Sequence, residues 1–502
     1  MSTSDPPPDT TALPSLLPLS TLPAPHGRGP SSRAWQAHAH SSPAAPLLAV
    51  AAADKNVYVW SLRTFQLLST IGGGHKRSVR CVEWKDYGNE GGNGGDGGEG
   101  LQLQQHKRRK VTLATGSFDA NVGVWEHASS ARRRAWGGGA AAAAAAGGLE
   151  DAAMGDGVDE VEDDGEDVND NEEWNFTTLL TGPDSEIKGI AFSPRTYGAN
   201  LLATSSRDKS VWVWEEVEDE EWETVAVLQE HQGDVKCVRW CEGVTVQGAD
   251  GQEKVVGSRE LLASGSYDDT VRLWRDVEEE GDWACVSVLE GHEGTVWGVS
   301  WEGWVDQQKM PEGWEIDWEP RLLTCSDDFS VRVWKRELSE QEQEKKRNAR
   351  INGAGAAAVT QRLPSILKPT GYFETWVEEA RLPQVHVRSV YTVDWSRQTG
   401  LVVTCAGDGA IVVYREVQEG QQHQQQDVPM AEAPETEHRR QQSKWEVVAL
   451  VEAAHDEYEV NHVCWAARRD KDTRFEGEEI IVSTGDDGDI KIWALPEDLC
   501  RR

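Results

Sequence analysis

An all-β chain folded as a seven-bladed β-propeller is what this sequence predicts, on three observations. Seven times an aspartate stands six residues before an aromatic: Asp54–Trp60, Asp119–Trp125, Asp208–Trp214, Asp268–Trp274, Asp328–Trp334, Asp408–Tyr414 and Asp487–Trp493. The text around these pairs repeats, as in "LATGSFDANVGVW", "LASGSYDDTVRLW" and "LLTCSDDFSVRVW". Each copy reads as an apolar strand, a small polar turn and a second strand rich in β-branched residues, which is the pattern of a hairpin. Upstream lies a further strand ending in an aromatic, at Trp84, Phe192, Trp240, Trp301, Trp395 and Trp465, and an outer strand opens on Trp174, Trp222, Trp283, Trp376 and Trp445. A four-stranded unit cannot bury both faces alone, so copies of it pack side by side around an axis.

This is the pattern of the WD-repeat class. A histidine stands nine residues before the inner-strand aromatic at His75, His231, His292 and His386, and ten before at His455; the third repeat has Pro183 there. Histidine, strand serine, turn aspartate and final tryptophan are expected to join in a buried hydrogen-bonded chain, which is tolerable only if every member has a partner. The expected sets are His75, Ser117, Asp119 and Trp125; His231, Ser266, Asp268 and Trp274; and His292, Ser326, Asp328 and Trp334. A Ser/His/Asp catalytic triad has the same residue types, but its recurrence along the chain assigns these residues to the scaffold. Blade packing likewise accounts for sixteen of the 23 tryptophans.

Seven repeats of roughly 40–45 residues leave about 200 residues for tails and insertions. Residues 1–12 are expected to be a disordered N-terminus, and 13–500 a single propeller with insertions at about 85–110, 126–173, 241–260, 302–321, 335–375 and 415–444. All six fall in connections on one face, here called the bottom, with low-complexity text such as "GGNGGDGGEG" and "QQHQQQ". Thirteen carboxylates and no basic residue lie between Glu150 and Glu173, the composition of a solvated linker. The last repeat lacks room for its own outer strand after Trp493, so the apolar stretch Leu13 to Leu22 is expected to complete blade 7 and close the ring.

The net charge of -36 argues against nucleic acid as a partner, because phosphate contacts need a basic face. No stretch approaches the ~20 apolar residues that cross a bilayer, and the N-terminus lacks the basic and apolar regions of a secretory signal. Eight cysteines are scattered singly, with Cys237 and Cys241 the closest two, so no metal site, cofactor or small-molecule substrate is expected and a reducing compartment is. The basic run His106 to Lys110 is a candidate nuclear-import signal; its plainer reading is a charged loop edge entering a strand.

Connections on the opposite, top face are short, so this face is the expected docking surface. Its blades 1 to 3 carry Lys55, Lys76, Arg77, Arg207 and Lys209, its blades 5 and 7 carry Asp327, Asp456, Glu457, Glu459 and Asp486, and Phe118 and Tyr267 sit in hairpin turns. Arg207, Lys209, Lys76, Arg77, Phe118 and Tyr267 are the expected partner-binding residues.

The segments "SSRDKSVWVWE", "VLQEHQGDVKCV", "SYDDTVRLW", "VSVLEGHEGTVW", "GDGAIVVYREV" and "HDEYEV" resemble the WD-repeat protein of the cytosolic iron–sulfur protein assembly machinery, over about Trp35 to Trp493 without the insertions. The resemblance implies a non-catalytic cytoplasmic subunit of a targeting complex. Its implied partners are a small α/β subunit, a large helical-repeat scaffold and apo iron–sulfur clients, and it assigns a functional surface to the arginine of "SRDKS", here Arg207. A ubiquitin-ligase substrate receptor or chromatin reader on the same fold is the alternative.

Overall fold

A computed structural model of the chain describes residues 13–29, 31–85, 109–129, 174–218, 220–247, 253–277, 282–305, 318–340, 342–344, 374–417 and 444–500. The expected disordered N-terminus (1–12), the acidic linker and most of the insertions lie outside the described residues.

The chain is a seven-bladed propeller of four-stranded antiparallel sheets. Blade 3 shows the plan: inner strand Ile187–Phe192, hairpin Leu201–Ser206 and Val211–Glu218, outer strand Glu221–Leu228. The first hairpin strand of each blade is almost wholly buried and the second mostly so over its first half, because each blade packs both faces against its neighbours. One interface buries Leu401, Val413, Val463, Ile481 and Trp493 between blades 6 and 7, and another buries Val50, Trp60, Val482 and Ile492 between blades 7 and 1.

Blade 7 takes its outer strand from the other end of the chain. Leu17–Leu22 pairs antiparallel with Ile490–Ala494, in the register Leu17↔Ala494 and Leu22↔Ile490. Leu22 and the preceding Leu16 are buried. The connection onward to blade 1 is pinned by Asp489, which accepts from the Ala24 amide (3.1 Å) and pairs with Arg28.

Aromatics at the two ends of a blade meet near its bottom: the inner-strand Trp240, Trp301 and Trp395 pack edge-on against the outer-strand Trp283, Trp376 and Trp445 at 5.7–5.8 Å. Inner-strand indoles also reach across to the preceding blade. Trp84 donates to His38 O (2.9 Å), Trp240 to Ala191 O (3.0 Å), Trp301 to Arg239 O (3.1 Å) and Trp465 to Asp394 O (3.2 Å). Each bond ties an indole to a backbone carbonyl of the blade before and so cross-links neighbouring blades.

The buried polar chain exists, but with a different hydroxyl from the one expected. In blade 5, His292 Nδ1 donates to Asp328 (2.9 Å), Thr324 donates to His292 Nε2 (2.7 Å), and Trp334 Nε1 donates to Thr324 Oγ1 (2.9 Å). His75, Thr115, Asp119 and Trp125 repeat this, as do His231, Ser264, Asp268 and Trp274, and His455, Ser483, Asp487 and Trp493. Ser117, Ser266 and Ser326, two residers nearer the turn, instead accept from the backbone amides of Asp119, Asp268 and Asp328 and donate to carbonyls of the incoming loop. The hydroxyls alternate on one face of the strand, and the turn claims the last of them. Blade 3, with Pro183, lacks the histidine; there Asp208 holds the Asp184 amide (2.7 Å) and the Ser210 amide (2.9 Å).

The insertion after Cys241 departs from the low-complexity expectation, because its described part is a hairpin, Val244–Gln247 with Glu253–Val256. Val244, Val246 and Val256 form a satellite cluster with Val305 and Trp318, which the alternation of valine with polar residues supports. Strands also run past the expected insertion starts, to Ser129 in blade 2, Glu337 in blade 5 and Val417 in blade 6. Of the basic run, Lys110 lies inside the strand Arg109–Ser117 and pairs with Glu126 at 2.6 Å; residues 106–108 are outside the described residues.

Thr324→Val removes the partner of two buried groups at once and should cost roughly 2–4 kcal/mol, whereas Ser326→Ala should cost about 1 kcal/mol. Denaturant midpoints of the two variants check the order. Burial pushes Asp119, Asp268, Asp328 and Asp408 upward, but bonds from histidine and backbone amides outweigh it and hold all four below their ordinary value. An acid so depressed stabilises the fold above its unfolded pKa, and that contribution drains as pH falls through the folded one. Tm should therefore drop from about pH 4 downward, and the Asp268→Asn variant, less stable at neutral pH, should show a shallower acid limb. Deleting residues 1–25 uncovers the edge of blade 7 and should lower Tm by more than ~5 °C, measured by differential scanning calorimetry.

Candidate functional site: the top face of blades 2 to 4

The turn aspartate fixes the residue before it at the tip of each hairpin, so Phe118, Arg207 and Tyr267 occupy equivalent positions on blades 2, 3 and 4. Arg207 is half exposed, its side chain at 57 %. Its backbone amide donates to Glu186 O (2.9 Å), while its guanidinium lies 3.7 Å from Glu186 Oε1 and 4.0 Å from Asp234. Arg77 reaches the same carboxylate from the neighbouring loop (3.2 Å) and donates to Phe118 O (2.8 Å). Lys188 holds the other oxygen of Glu186 at 2.7 Å. Glu186 is thus shared by three cations. Burial pushes its carboxyl up, but the bond and charge of Lys188, with Arg207 and Arg77, bring it below its ordinary value.

The structure joins Arg77, Phe118 and Arg207 into one patch and leaves Lys76 and Lys209 at its margin. Both lysines are exposed, and neither side chain forms an ion pair among the described residues. Lys209 has φ 75°, a turn position. Phe118 is not the free surface aromatic expected. It is half buried, edge-on to Trp35 at 5.9 Å, with Lys188 over its ring at 4.5 Å and Arg77 at 5.8 Å. Tyr267 is 63 % exposed, with Lys236 over its ring at 5.5 Å.

A second ring lies inside these turns and was missed by the sequence reading. Every inner strand slips register at its second residue, between Ala34 and Gln36, Val79 and Cys81, Ile187 and Gly189, Val235 and Cys237, Val296 and Gly298, Val390 and Thr392, and Val460 and His462. The unpaired residues are Trp35, Arg80, Lys188, Lys236, Trp297, Tyr391 and Asn461. A bulge re-aims its side chain, and five of these seven line the mouth of the central channel. The signal for them was the large or polar residue in "SVRCVEW", "EIKGIAF" and "DVKCVRW" that interrupts strict alternation.

Among the described residues no group of three or more His, Cys, Asp or Glu side chains is placed to hold a metal ion. The cysteines are free, and burial pushes the thiols of Cys81, Cys237 and Cys241 up to about 12. What the top of blades 2 to 4 presents is a charged and aromatic surface.

The repeat family described as WD domain, G-beta repeat matches residues 174–215, 222–275 and 283–335. The chain is 39 % identical over 503 residues to a protein of Chaetomium globosum named "Probable cytosolic iron-sulfur protein assembly protein 1", covering 98 % of this chain and 99 % of that one. Proteins of the same name from Aspergillus flavus and Botryotinia fuckeliana are 38 % and 37 % identical, over 92 % and 94 % of this chain and 95 % and 96 % of theirs. Similarity of this extent, over a propeller with these repeats, places the chain in the family of cytosolic iron–sulfur protein assembly protein 1.

Proposed function

We propose that this chain acts by binding alone, as a cytosolic subunit of an iron–sulfur targeting complex that recruits its other subunits and apo-protein clients through the top face of blades 2 to 4. The observation that carries this reading is the patch around Glu186. One carboxylate there is surrounded by cations from the loop entering blade 2, the turn of blade 3 and the inner strand of blade 3, and Asp234 extends the patch to blade 4. Such a surface presents arginine and aromatic anchors on rigid strand ends, which is what a recognition site needs. The top connections stay short, so bulky partners can approach it, whereas the long insertions leave from the opposite face. The cytosolic setting and the iron–sulfur clients are supported by the names of the relatives.

Arg207→Glu tests the reading. The side chain is half exposed and its ion pairs are long, so Tm should change little, by the equivalent of about 0.5 kcal/mol. Association with the complex or its clients should weaken about thirtyfold, roughly 2 kcal/mol, in a pull-down or titration. Cells depleted of the native protein and rescued with this variant should recover cytosolic iron–sulfur enzyme activity poorly. Asp208→Ala is the control, since it removes the acceptor of the turn amides and should lower Tm outright. Wild-type binding and rescue by Arg207→Glu would sink the proposal.

A further inference from the structure

We propose that the mouth of the central channel, on its blade 2 to 4 side, receives an extended acidic segment of a protein partner, whose side-chain carboxylates lie against Arg80, Lys188 and Lys236. This inference shares its face with the docking surface above and rests on that reading for the partner's being a protein. It concerns different side chains, lying deeper.

Charge is the first argument. The three cations are the bulge residues of consecutive blades, so the fold itself sets them side by side. Lys188 and Lys236 each have one carboxylate, Glu186 at 2.7 Å and Asp234 at 3.2 Å, and both carboxylates are shared with arginines of the outer turns. Arg80 has no carboxylate partner among the described residues, and its guanidinium lies only over the Trp35 ring, at 5.2 Å. On the blade 2 to 4 side five cations therefore surround Glu186 and Asp234, while Asp327 and Glu459 stand at the opposite wall, inside a chain whose net charge is -36. A local positive excess held in a narrow opening focuses its field there. The acidic remainder of the molecule repels long polyanions, which disfavours nucleic acid and favours a short acidic stretch of protein.

Shape is the second argument. The mouth is a narrow opening lined by Arg80, Lys188, Lys236, Trp297 and Tyr391, so it admits the side chains of a short extended segment and not a folded domain. Trp297 and Tyr391 form its far wall, edge to face at 5.5 Å, and Lys236 lies over Trp297 at 4.9 Å. The polar atoms of these two aromatics are already engaged, Trp297 Nε1 with Asp327 and Tyr391 OH with Glu459. They therefore present apolar surface toward the opening. A carboxylate entering between that wall and the cations is partly screened from water, which strengthens its pairing.

The test uses the isolated chain and a fluorescein-labelled peptide of glutamates alternating with glycine, amidated at its C-terminus so that only side-chain carboxylates are offered. Anisotropy should show binding that weakens with salt, and the glutamine counterpart should bind at least about tenfold more weakly. Arg80→Gln and Lys236→Gln should each weaken binding of the glutamate peptide about tenfold, with unchanged Tm showing that both variants are folded. No binding at about 1 mM peptide, equal binding of the two peptides, or indifference to both substitutions would overturn the proposal. So would tighter binding of a single-stranded RNA oligonucleotide than of the peptide. Because this assay contains no partner subunit, it can fail while the Arg207→Glu pull-down succeeds, and the reverse.

Discussion

The turn carboxylate of each blade is the interaction on which the rest of the molecule depends. Asp268 accepts from the amide of Gln232 (2.7 Å), the amide of Thr270 (3.1 Å) and the ring of His231 (2.9 Å). It thereby ties a hairpin to the loop that brings the chain in from the blade before. Buried carboxylates are costly unless every lone pair is used, and these are used by donors whose positions define the turn. The residue before the aspartate then has no freedom in where it stands. Arg207, Phe118 and Tyr267 inherit their placement from their neighbour, so a structural repeat produces a constant frame on which variable tip residues are displayed.

Much of this frame was legible in the sequence, because an aspartate six residues before a tryptophan records a hairpin of fixed length. The hydroxyl that joins the buried chain is not legible in the same way. Ser326 and Thr324 point to the same face of one strand, and period-two patterning cannot separate them. The decision comes from the indole, which leans back along the strand: Trp334 pairs with Leu322 in register yet reaches Thr324. The channel ring was hidden for a related reason. A bulge is a slip of a single residue in pairing, and in the strand text it shows only as a short break in alternation. Arg77 and Arg207 could be picked out as cations on one face, but their meeting at Glu186 depends on how blades 2 and 3 abut, which no local pattern encodes.

Below the mouth, the channel is filled by a polar network that replaces the missing sheet partner of the inner strands. Gln36 accepts from the amide of Val82 (3.1 Å), His38 from that of Trp84 (3.1 Å), Ser300 from that of Trp395 (3.2 Å) and Asp394 from that of Trp465 (2.8 Å). Each bond runs from one blade to the next, so the inner strands are cross-linked around the axis as well as packed against each other. Arg239 of blade 4 crosses the channel to Glu83 of blade 2 at 3.1 Å. Burial pushes Glu83 up to about 7 despite that arginine, and Glu479 to about 7 despite the hydroxyl of Ser396. These acids are held in place by geometry at some cost to their ionised form, a burden the fold carries because the Arg239 guanidinium and the Ser396 hydroxyl need acceptors.

The pairing of Leu17–Leu22 with Ile490–Ala494 sets a condition on how the protein is made. The strand Leu17–Leu22 finds its partner only after the blades between have followed it, and the Ala24 amide meets Asp489 across 465 residues. Until then the first blades can assemble, since their strands are consecutive, but the last blade has no outer strand and the early one no place to go. An unfinished or truncated chain is therefore marked by an open sheet edge and a loose apolar segment, both of which chaperones and proteases recognise. Closure of the ring therefore waits on the hairpin of blade 7, and a chain without that hairpin keeps its first strand unpaired.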